Sequence, residues 1–373
     1  MKKVLFVASV TRHITTFHIP YLKYFKDNGY EVHVASHGEK PIPHCDKHFN
    51  LEFQRSPFKA SNIKAYKELK KIINEEKYEI IHCHTPVASV LTRLAAKKTR
   101  EVNGTRVIYT AHGFHFYKGA PKKNWMIYYP IEKYLSKYTD TLITINYEDY
   151  EIAKEKFHAK QIEHVHGVGI DEKKFTGMIS DDEIKAFKAG LSLKPFDYVI
   201  SYVAELNDNK NQMMIIRAMK DVVRKHRDVK VLLIGDGVYE DKLREEIKKN
   251  LLQNNVLLLG YRTDIPMLLR ISDLYVATSK REGLPVNILE AICAGLPLLV
   301  TDSRGQRELV EDGINGYLVR NNDAEDLTQK INNVYSDFKI RNHFRQNSRA
   351  NLSKYLIENV FDEMKKIYNI EGV

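Results

Sequence analysis

Ser279-Lys280-Arg281-Glu282-Gly283-Leu284-Pro285-Val286-Asn287-Ile288-Leu289-Glu290-Ala291-Ile292-Cys293-Ala294-Gly295-Leu296-Pro297 is the stretch on which the reading of this chain turns. Just upstream, Asp273–Thr278 (DLYVAT) is a short β-type run. Gly283 and Pro285 punctuate a turn, Asn287–Ala294 has apolar residues at helical spacing, and Gly295 with Pro297 stops the helix. A helix starting near Val286 aims its free backbone N–H groups at the mouth of the loop, an anion site suited to a phosphate or diphosphate. Glu282 precedes the helix and Glu290 lies within it, seven residues between them. A carboxylate repels phosphate but accepts hydrogen bonds from hydroxyls, and a nucleotide sugar carries hydroxyls at both ends, on ribose and on hexose. Taken singly, each glutamate reads more readily as a solvated surface charge. Their pairing around a Gly-Leu-Pro turn, after a buried strand, shifts the reading toward a site.

Outward from this stretch, strands and helices alternate. Lys3–Ser9, Tyr30–Ser36, Glu79–His84, Thr105–Thr110, Thr139–Thr144 and Ile162–His166 read as strands. Helical spacing separates them over Thr16–Lys26, Asn62–Glu76, Pro86–Lys98, Trp125–Tyr138 and Glu148–Phe157, with a loop over His112–Lys123. Gly167-Val168-Gly169-Ile170-Asp171 breaks the pattern. It restarts with strands at Tyr198–Ala204, Val229–Ile234, Asn255–Leu259, Asp273–Thr278 and Leu298–Thr301, and Ala324–Asn369 reads as helical. Such alternation predicts parallel sheets covered on both faces, and 373 residues suit two such domains. The expected division is 1–170 and 171–354, with ligands at the carboxyl ends of the strands. Neither half opens with G-x-G-x-x-G, which weighs against a nicotinamide or flavin site.

The net charge of +10 is unevenly placed: residues 1–170 hold 27 Lys+Arg against 17 Asp+Glu, while residues 171–373 hold 31 of each. No nucleic-acid module or aromatic-basic repeat accompanies this excess, so nucleic acid is not the expected partner. An anionic membrane surface or a phosphate-bearing acceptor fits it better. Hydrophobic residues at 43% and charged residues at 28% are ordinary for a globular protein. No apolar run reaches the roughly 18 residues of a membrane span. Val4–Val10 reads as a buried first strand rather than a signal segment. Cys45, Cys83 and Cys293 fit neither metal nor disulfide spacing, and point to a reducing cytoplasm.

On these residues the sequence resembles a glycosyltransferase of family 4, and in particular bacterial capsule and exopolysaccharide members through His112–Pro130 (HGFHFYKGAPKKNWMIYYP). The resemblance covers essentially the whole chain. It rests on Glu282 and Glu290 within Glu-Gly-Leu-Pro…Glu-Ala…Ala-Gly-Leu-Pro, on Leu233-Ile234-Gly235-Asp236-Gly237, on Leu259-Gly260-Tyr261-Arg262-Thr263-Asp264, on the Glu205–Asn211 loop and on Ala111-His112-Gly113-Phe114-His115. It implies a GT-B fold, in which two doubly wound Rossmann-like α/β domains face a central cleft. The first domain would be acceptor-side, with a C-terminal helix of about residues 355–373 crossing back to it, and the second would bind the donor. By resemblance, Glu290 would meet the ribose hydroxyls, Glu282 the donor sugar, and Gly283, Leu284, Pro285 and Val286 the sugar or diphosphate. Lys210 would neutralise the departing diphosphate, Gly235 and Asp236 would lie on the nucleotide side, Tyr261 and Arg262 near the base, and His112 beside the donor sugar. The implied reaction retains anomeric configuration and uses no enzyme nucleophile, no cofactor and no metal. Two positions depart from the family pattern. Glu205 stands where an arginine is usual, so that Arg281 or Arg304 would have to compensate or Glu205 turn away, and Thr11–Thr16 replaces a Gly-Gly loop.

The expected function is therefore transfer of a hexose or N-acetylhexosamine from a nucleotide-diphosphate sugar, a UDP-sugar first among them, to a polyprenyl-diphosphate-linked saccharide. The enzyme would work in the cytoplasm, peripheral at the inner face of the membrane. Arg12, His13, Lys118, Lys122 and Lys123 are candidate acceptor or membrane contacts, the three lysines beside Trp125, Tyr128 and Tyr129. A solvated turn packed on its own aromatics is the equal alternative for that loop. His82 and His84 share one face of a strand end at a spacing a metal could use, but no third ligand is evident, and no metal is expected. The competing functions are a sugar-nucleotide 2-epimerase of the same two-domain form and a non-catalytic nucleotide-sugar sensor.

Overall fold

The computed structural model describes residues 1–54, 56 and 59–370. The chain divides into two units, Met1–Val168 together with the C-terminal stretch from Glu358, and Gly169–Ile357.

The first unit is built on seven strands: β1 (Lys3–Val10), β2 (Glu31–His37), β3 (Lys47–Asn50), β4 (Ile80–His84), β5 (Arg106–Ala111), β6 (Thr141–Thr144) and β7 (Gln161–His164). All pairs are parallel, in the order β3-β2-β1-β4-β5-β6-β7. Val4 to Ala8 of β1 are wholly buried, as a strand covered on both faces must be. Leu5 and Val7 pack with Leu69, Ile73, Val107 and Phe116 on one face. Val4, Phe6 and Ala8 pack on the other with Leu22, Phe25, Val360, Met364 and Tyr368. The last three lie one turn apart on the helix Ile357–Tyr368, so the end of the chain completes this core. There the His82 ring is held at both nitrogens, Nδ1 2.8 Å from the Tyr368 hydroxyl and Nε2 2.8 Å from the Thr110 hydroxyl.

The second unit has six strands: β8 (Tyr198–Val203), β9 (Val229–Ile234), β10 (Val256–Leu258), β11 (Leu274–Ala277), β12 (Leu298–Thr301) and β13 (Gly316–Val319). They too are parallel, in the order β10-β9-β8-β11-β12-β13. In each sheet the order reverses once, between β1 and β4 and between β8 and β11. At those points the connections diverge and leave a crevice at the carboxyl ends.

Several local expectations are corrected. Thr16–Lys26 is not one helix after a loop: Thr11–Phe17 and Ile19–Asp27 are separate helices, because Pro20 lacks an N–H and begins a new one. The Thr11–Thr16 stretch is thus helical. Pro86–Lys98 likewise becomes Pro86–Ala95 and Lys97–Asn103. Edge strand β3 went unread because KHFN is polar and half exposed. The loop after β5 ends at Pro121, and a helix runs from Lys122 to Ser136. The C-terminal region is three helices, Ala324–Ser336, Phe338–Asn347 and Ile357–Tyr368. The Asp337 carboxylate caps the second by accepting from the Lys339 and Ile340 N–H groups.

Replacing Tyr368 with Phe removes one partner of a fully buried imidazole and keeps the packing. The expected loss is about 1–3 kcal/mol, read as a lower midpoint in chemical denaturation. An unchanged midpoint would show that the hydroxyl contributes nothing.

Candidate active site

In the second unit, two loops meet at the switch point. The loop after β8 runs from Ala204 to Asn211, and the loop after β11 from Thr278 to Pro285. Polar groups lace them together. The Thr278 hydroxyl donates to the carbonyls of Lys210 and Asn211 (3.1 and 2.9 Å), and the Tyr202 hydroxyl donates to Lys210 O (3.0 Å). Lys280 N donates to Asn209 O (2.8 Å), Asn209 Nδ2 to Arg281 O (3.0 Å), and Lys280 Nζ to the Asp208 carboxylate (2.8 Å). At the mouth, Lys210 Nζ lies 2.6 Å from Glu282 Oε1, with side-chain exposures of 21% and 15%. The two residues stand 72 positions apart. Half-buried and charge-assisted, this pair is stronger than an exposed one.

The other flank of the Glu282 loop rests on the segment after β12. Gln306 Nε2 and the Thr301 hydroxyl both donate to Ser279 O (2.8 and 2.5 Å), and Arg304 Nε donates to Glu282 O (3.1 Å). Gly305 lies so close that a Cβ there would sit 1.9 Å from Gly283 O. Gly235 makes a similar approach below the β8 loop: its φ is +141°, and a Cβ would stand 2.1 Å from Ala204 O. Both glycines are therefore fixed by backbone contact.

Helix Val286–Cys293 begins at Pro285 with no side-chain cap and no acidic residue in its first turn. Ile288 N–H is taken by Asn287 Oδ1 and Pro285 O, and among the described residues the N–H groups of Val286 and Asn287 have no hydrogen bond and can meet an anion. Glu290 follows one turn into the helix. Among the described residues its carboxylate has no hydrogen-bond partner, and burial raises its pKa from the ordinary 4.5 to about 7, against the lowering pull of Lys174.

The flanking residues sort less neatly. Glu205 and Asp236 are exposed, while Arg304 is buried beneath the Glu282 carbonyl rather than placed over Glu205. Tyr261 is 61% exposed, and the Arg262 guanidinium is clasped by the Asp264 carboxylate.

In the first unit, His13, His18, His84 and His112 converge at the β1/β4 switch point, each offering one ring nitrogen within 4.8 Å of the others. The reading of His82 and His84 as a pair without further ligands is corrected here. His82 is used structurally, and three other imidazoles join His84. Spacing could not show this, since residues 13 and 18 come from one helix and its end, and 84 and 112 from two other segments. Burial lowers the pKa of His112, His18 and His84 well below the ordinary 6.5 and that of His13 to about 4. All four rings are neutral at pH 7. Arg12 is exposed beside them.

On the helix Lys122–Ser136, Trp125, Tyr128 and Tyr129 turn inward and pack on the core. Trp125 Nε1 donates to Tyr117 O (3.2 Å), and Tyr128 stacks on His115. What that helix exposes is Met126, Ile127, Ile131 and Tyr134, with Lys122 and Lys123 at its start and Lys118 on the preceding loop. The aromatics beside the lysines are partly buried against the core, and this stripe of Met126, Ile127, Ile131 and Tyr134 is what the helix exposes.

With this geometry in hand, similarity to known proteins is informative. Residues 3–146 match the family described as Glycosyl transferase 4-like, and residues 174–351 match Glycosyl transferases group 1. EpsD of Bacillus subtilis (strain 168), named as a glycosyltransferase, is 40% identical over 369 residues, covering 99% of this chain and 96% of that one. The chain belongs to the glycosyltransferases. An Escherichia coli relative, UDP-Gal:alpha-D-GlcNAc-diphosphoundecaprenol alpha-1,3-galactosyltransferase, is 30% identical over 323 residues, covering 84% of this chain and 82% of its own length. In fold, this glycosyltransferase matches Anabaena HepE, solved with UDP and glucose, at a TM-score of 0.79 and 19% identity, over 99% of both chains. It matches WaaG, a glycosyltransferase involved in lipopolysaccharide biosynthesis, at 0.77 and 15% identity, over 98% of this chain and all of that one. The fold is GT-B.

Glu290 also gives the glycosyltransferase a testable pH dependence. Because its native carboxyl titrates near 7 rather than 4.5, the native state keeps a proton that the unfolded chain has released. Its contribution is intact below pH 4.5 and is lost as pH rises through 7. Glu290→Gln should therefore stabilise the unliganded protein by about 3 kcal/mol at pH 8 and by little at pH 4.5. Thermal denaturation at the two pH values checks this.

Proposed function

We propose that this glycosyltransferase moves a hexose or N-acetylhexosamine from a UDP-sugar, with retention of anomeric configuration, to a polyprenyl-diphosphate-linked saccharide. The observation that carries the reading is Glu290: a carboxylate drawn out of water, left without a partner, one turn beyond an uncapped helix start. It suits a ligand that brings hydroxyls to the carboxylate and an anion to the helix start. The E. coli relative, whose name states a UDP-Gal donor and a diphosphoundecaprenol acceptor, supports the choice of donor and acceptor class.

The chemistry then distributes over named groups. Gly283, Leu284, Pro285 and Val286 line the helix start that receives the diphosphate, Gly235, Asp236 and Tyr261 the nucleotide side, with Arg262, Arg281 and Glu205 at its margin. Lys210, engaged with Glu282 in the unliganded chain, turns to the diphosphate as negative charge builds on it. That exchange releases the Glu282 carboxylate to accept sugar hydroxyls. The acceptor hydroxyl oxygen bonds to the anomeric carbon as its bond to the diphosphate breaks, and the acceptor proton passes to the departing phosphate oxygen. His112 in the first unit is assigned to the transferred sugar. No enzyme nucleophile, cofactor or metal enters these steps.

No helix of the described residues is long and apolar enough to cross a membrane. We assign peripheral contact with the inner membrane face to the stripe Met126, Ile127, Ile131 and Tyr134 with Lys118, Lys122 and Lys123. Arg12 and His13 are placed on the acceptor side of the first unit.

UDP and UDP-sugars at ~100 times Kd should stabilise the protein by about 2.7 kcal/mol, and the response should vanish in Glu290→Ala. Lys210→Ala should lower kcat about 10²–10³-fold in a UDP-sugar assay with a lipid-diphosphate saccharide. A thermal response to no nucleotide, or full turnover by Lys210→Ala, would overturn the reading.

A further inference from the structure

The geometry points to a binding site for a divalent cation of the zinc class, formed by the imidazoles of His13, His18, His84 and His112. The four rings arrive from three stretches of chain at the carboxyl edge of the first sheet. His13 and His18 lie on and just after helix Thr11–Phe17, His84 ends β4, and His112 follows β5. Each presents one nitrogen within 4.8 Å of the other three. Around zinc at the usual Zn–N length, ligand nitrogens stand about 3.3–3.4 Å apart. His112 Nε2 and His84 Nδ1 stand 3.4 Å apart as a hydrogen-bonded pair, a spacing that a shared ion could take over by replacing the proton between them. Closing the rest requires the His18 ring to turn out of its stack on His84, whose centroid lies 3.9 Å away.

A second, independent observation is the state of these nitrogens. Both ring nitrogens of His18, Nε2 of His84 and Nε2 of His13 are buried with no hydrogen-bond partner. His18 and His84 are 4% and 0% exposed. Buried polar atoms are rarely left so, and His82, next on the same strand face, has both its nitrogens served. Neutral imidazoles suit zinc, copper, nickel or cobalt rather than magnesium or calcium. Backbone strain marks the same spot: Thr85, directly after His84, has φ +64°, unusual for a β-branched residue, and its hydroxyl is pinned by Ser9 N–H at 3.0 Å. Four neutral ligands complete the tetrahedron but leave the ion its full charge, so binding is weaker than in thiolate sites.

Occupancy would engage the His112 ring that the proposed function assigns to the transferred sugar, so zinc should inhibit. That consequence rests on the role proposed for His112, whereas binding itself does not.

The test uses the full chain, stripped with chelator and dialysed against Zn²⁺, with Co²⁺ as the spectroscopic probe. One zinc per chain, a tetrahedral cobalt spectrum, and affinity at least about tenfold weaker in His18→Phe and in His13→Gln are expected. His18→Phe keeps the stacked ring, and His13→Gln alters a half-exposed position, so circular dichroism and melting establish that both variants fold. No zinc on the wild type, or equal zinc on both folded variants, overturns the site. Stoichiometric zinc without inhibition of transfer supports the site and dismisses the role of His112.

Discussion

A parallel sheet covered on both faces has no room for a polar ligand along its strands. Backbone and charge can meet a ligand only at the carboxyl edge, and only where neighbouring connections run opposite ways. In this chain that constraint acts twice. In the second unit it brings Lys210 and Glu282 together from loops 72 residues apart; in the first it gathers four histidines. Everything else in the two units, from the zero exposure of β1 to the glycines at 235 and 305, serves to fix those edges.

The two edges differ in how they treat charge. The second unit neutralises its lysine internally and surrounds the pair with backbone carbonyls already engaged by Thr278, Tyr202 and Gln306. Such a site is held before any ligand arrives, and an anion has only to exchange partners with Glu282 rather than organise a loop. The first unit has no countercharge among its clustered imidazoles, and burial keeps them neutral. One edge carries an ion pair and a helix start, the other a cluster of neutral rings.

The α/β architecture was legible because β1, β4, β8 and β11 are short apolar runs separated by helical spacing and turn residues. Glu282 and Glu290 were legible because a helix start and its punctuation lie in one continuous stretch. What failed to show was anything that depends on contact between distant segments. Pro20 splitting a helix was written locally and could have been read. The inward turn of Trp125 and Tyr129 could not, because period alone does not say which side of a helix meets the core. Nor could the fate of Arg304, whose guanidinium lies under the Glu282 carbonyl, or the gathering of His13 and His18 beside His84.

The His82–Tyr368 contact spans 286 positions, and it has a meaning for synthesis. The first unit is discontinuous: Val360, Met364 and Tyr368, which seal one face of its sheet, are made only after the whole of the second unit. The second unit is continuous from Gly169 to Ile357 and has all its core in hand earlier. The amino-terminal unit must therefore wait, with Phe6 and Val34 exposed, while the later-made unit closes. A nascent chain that stops short of Val360 lacks part of the first unit's core but none of the second's.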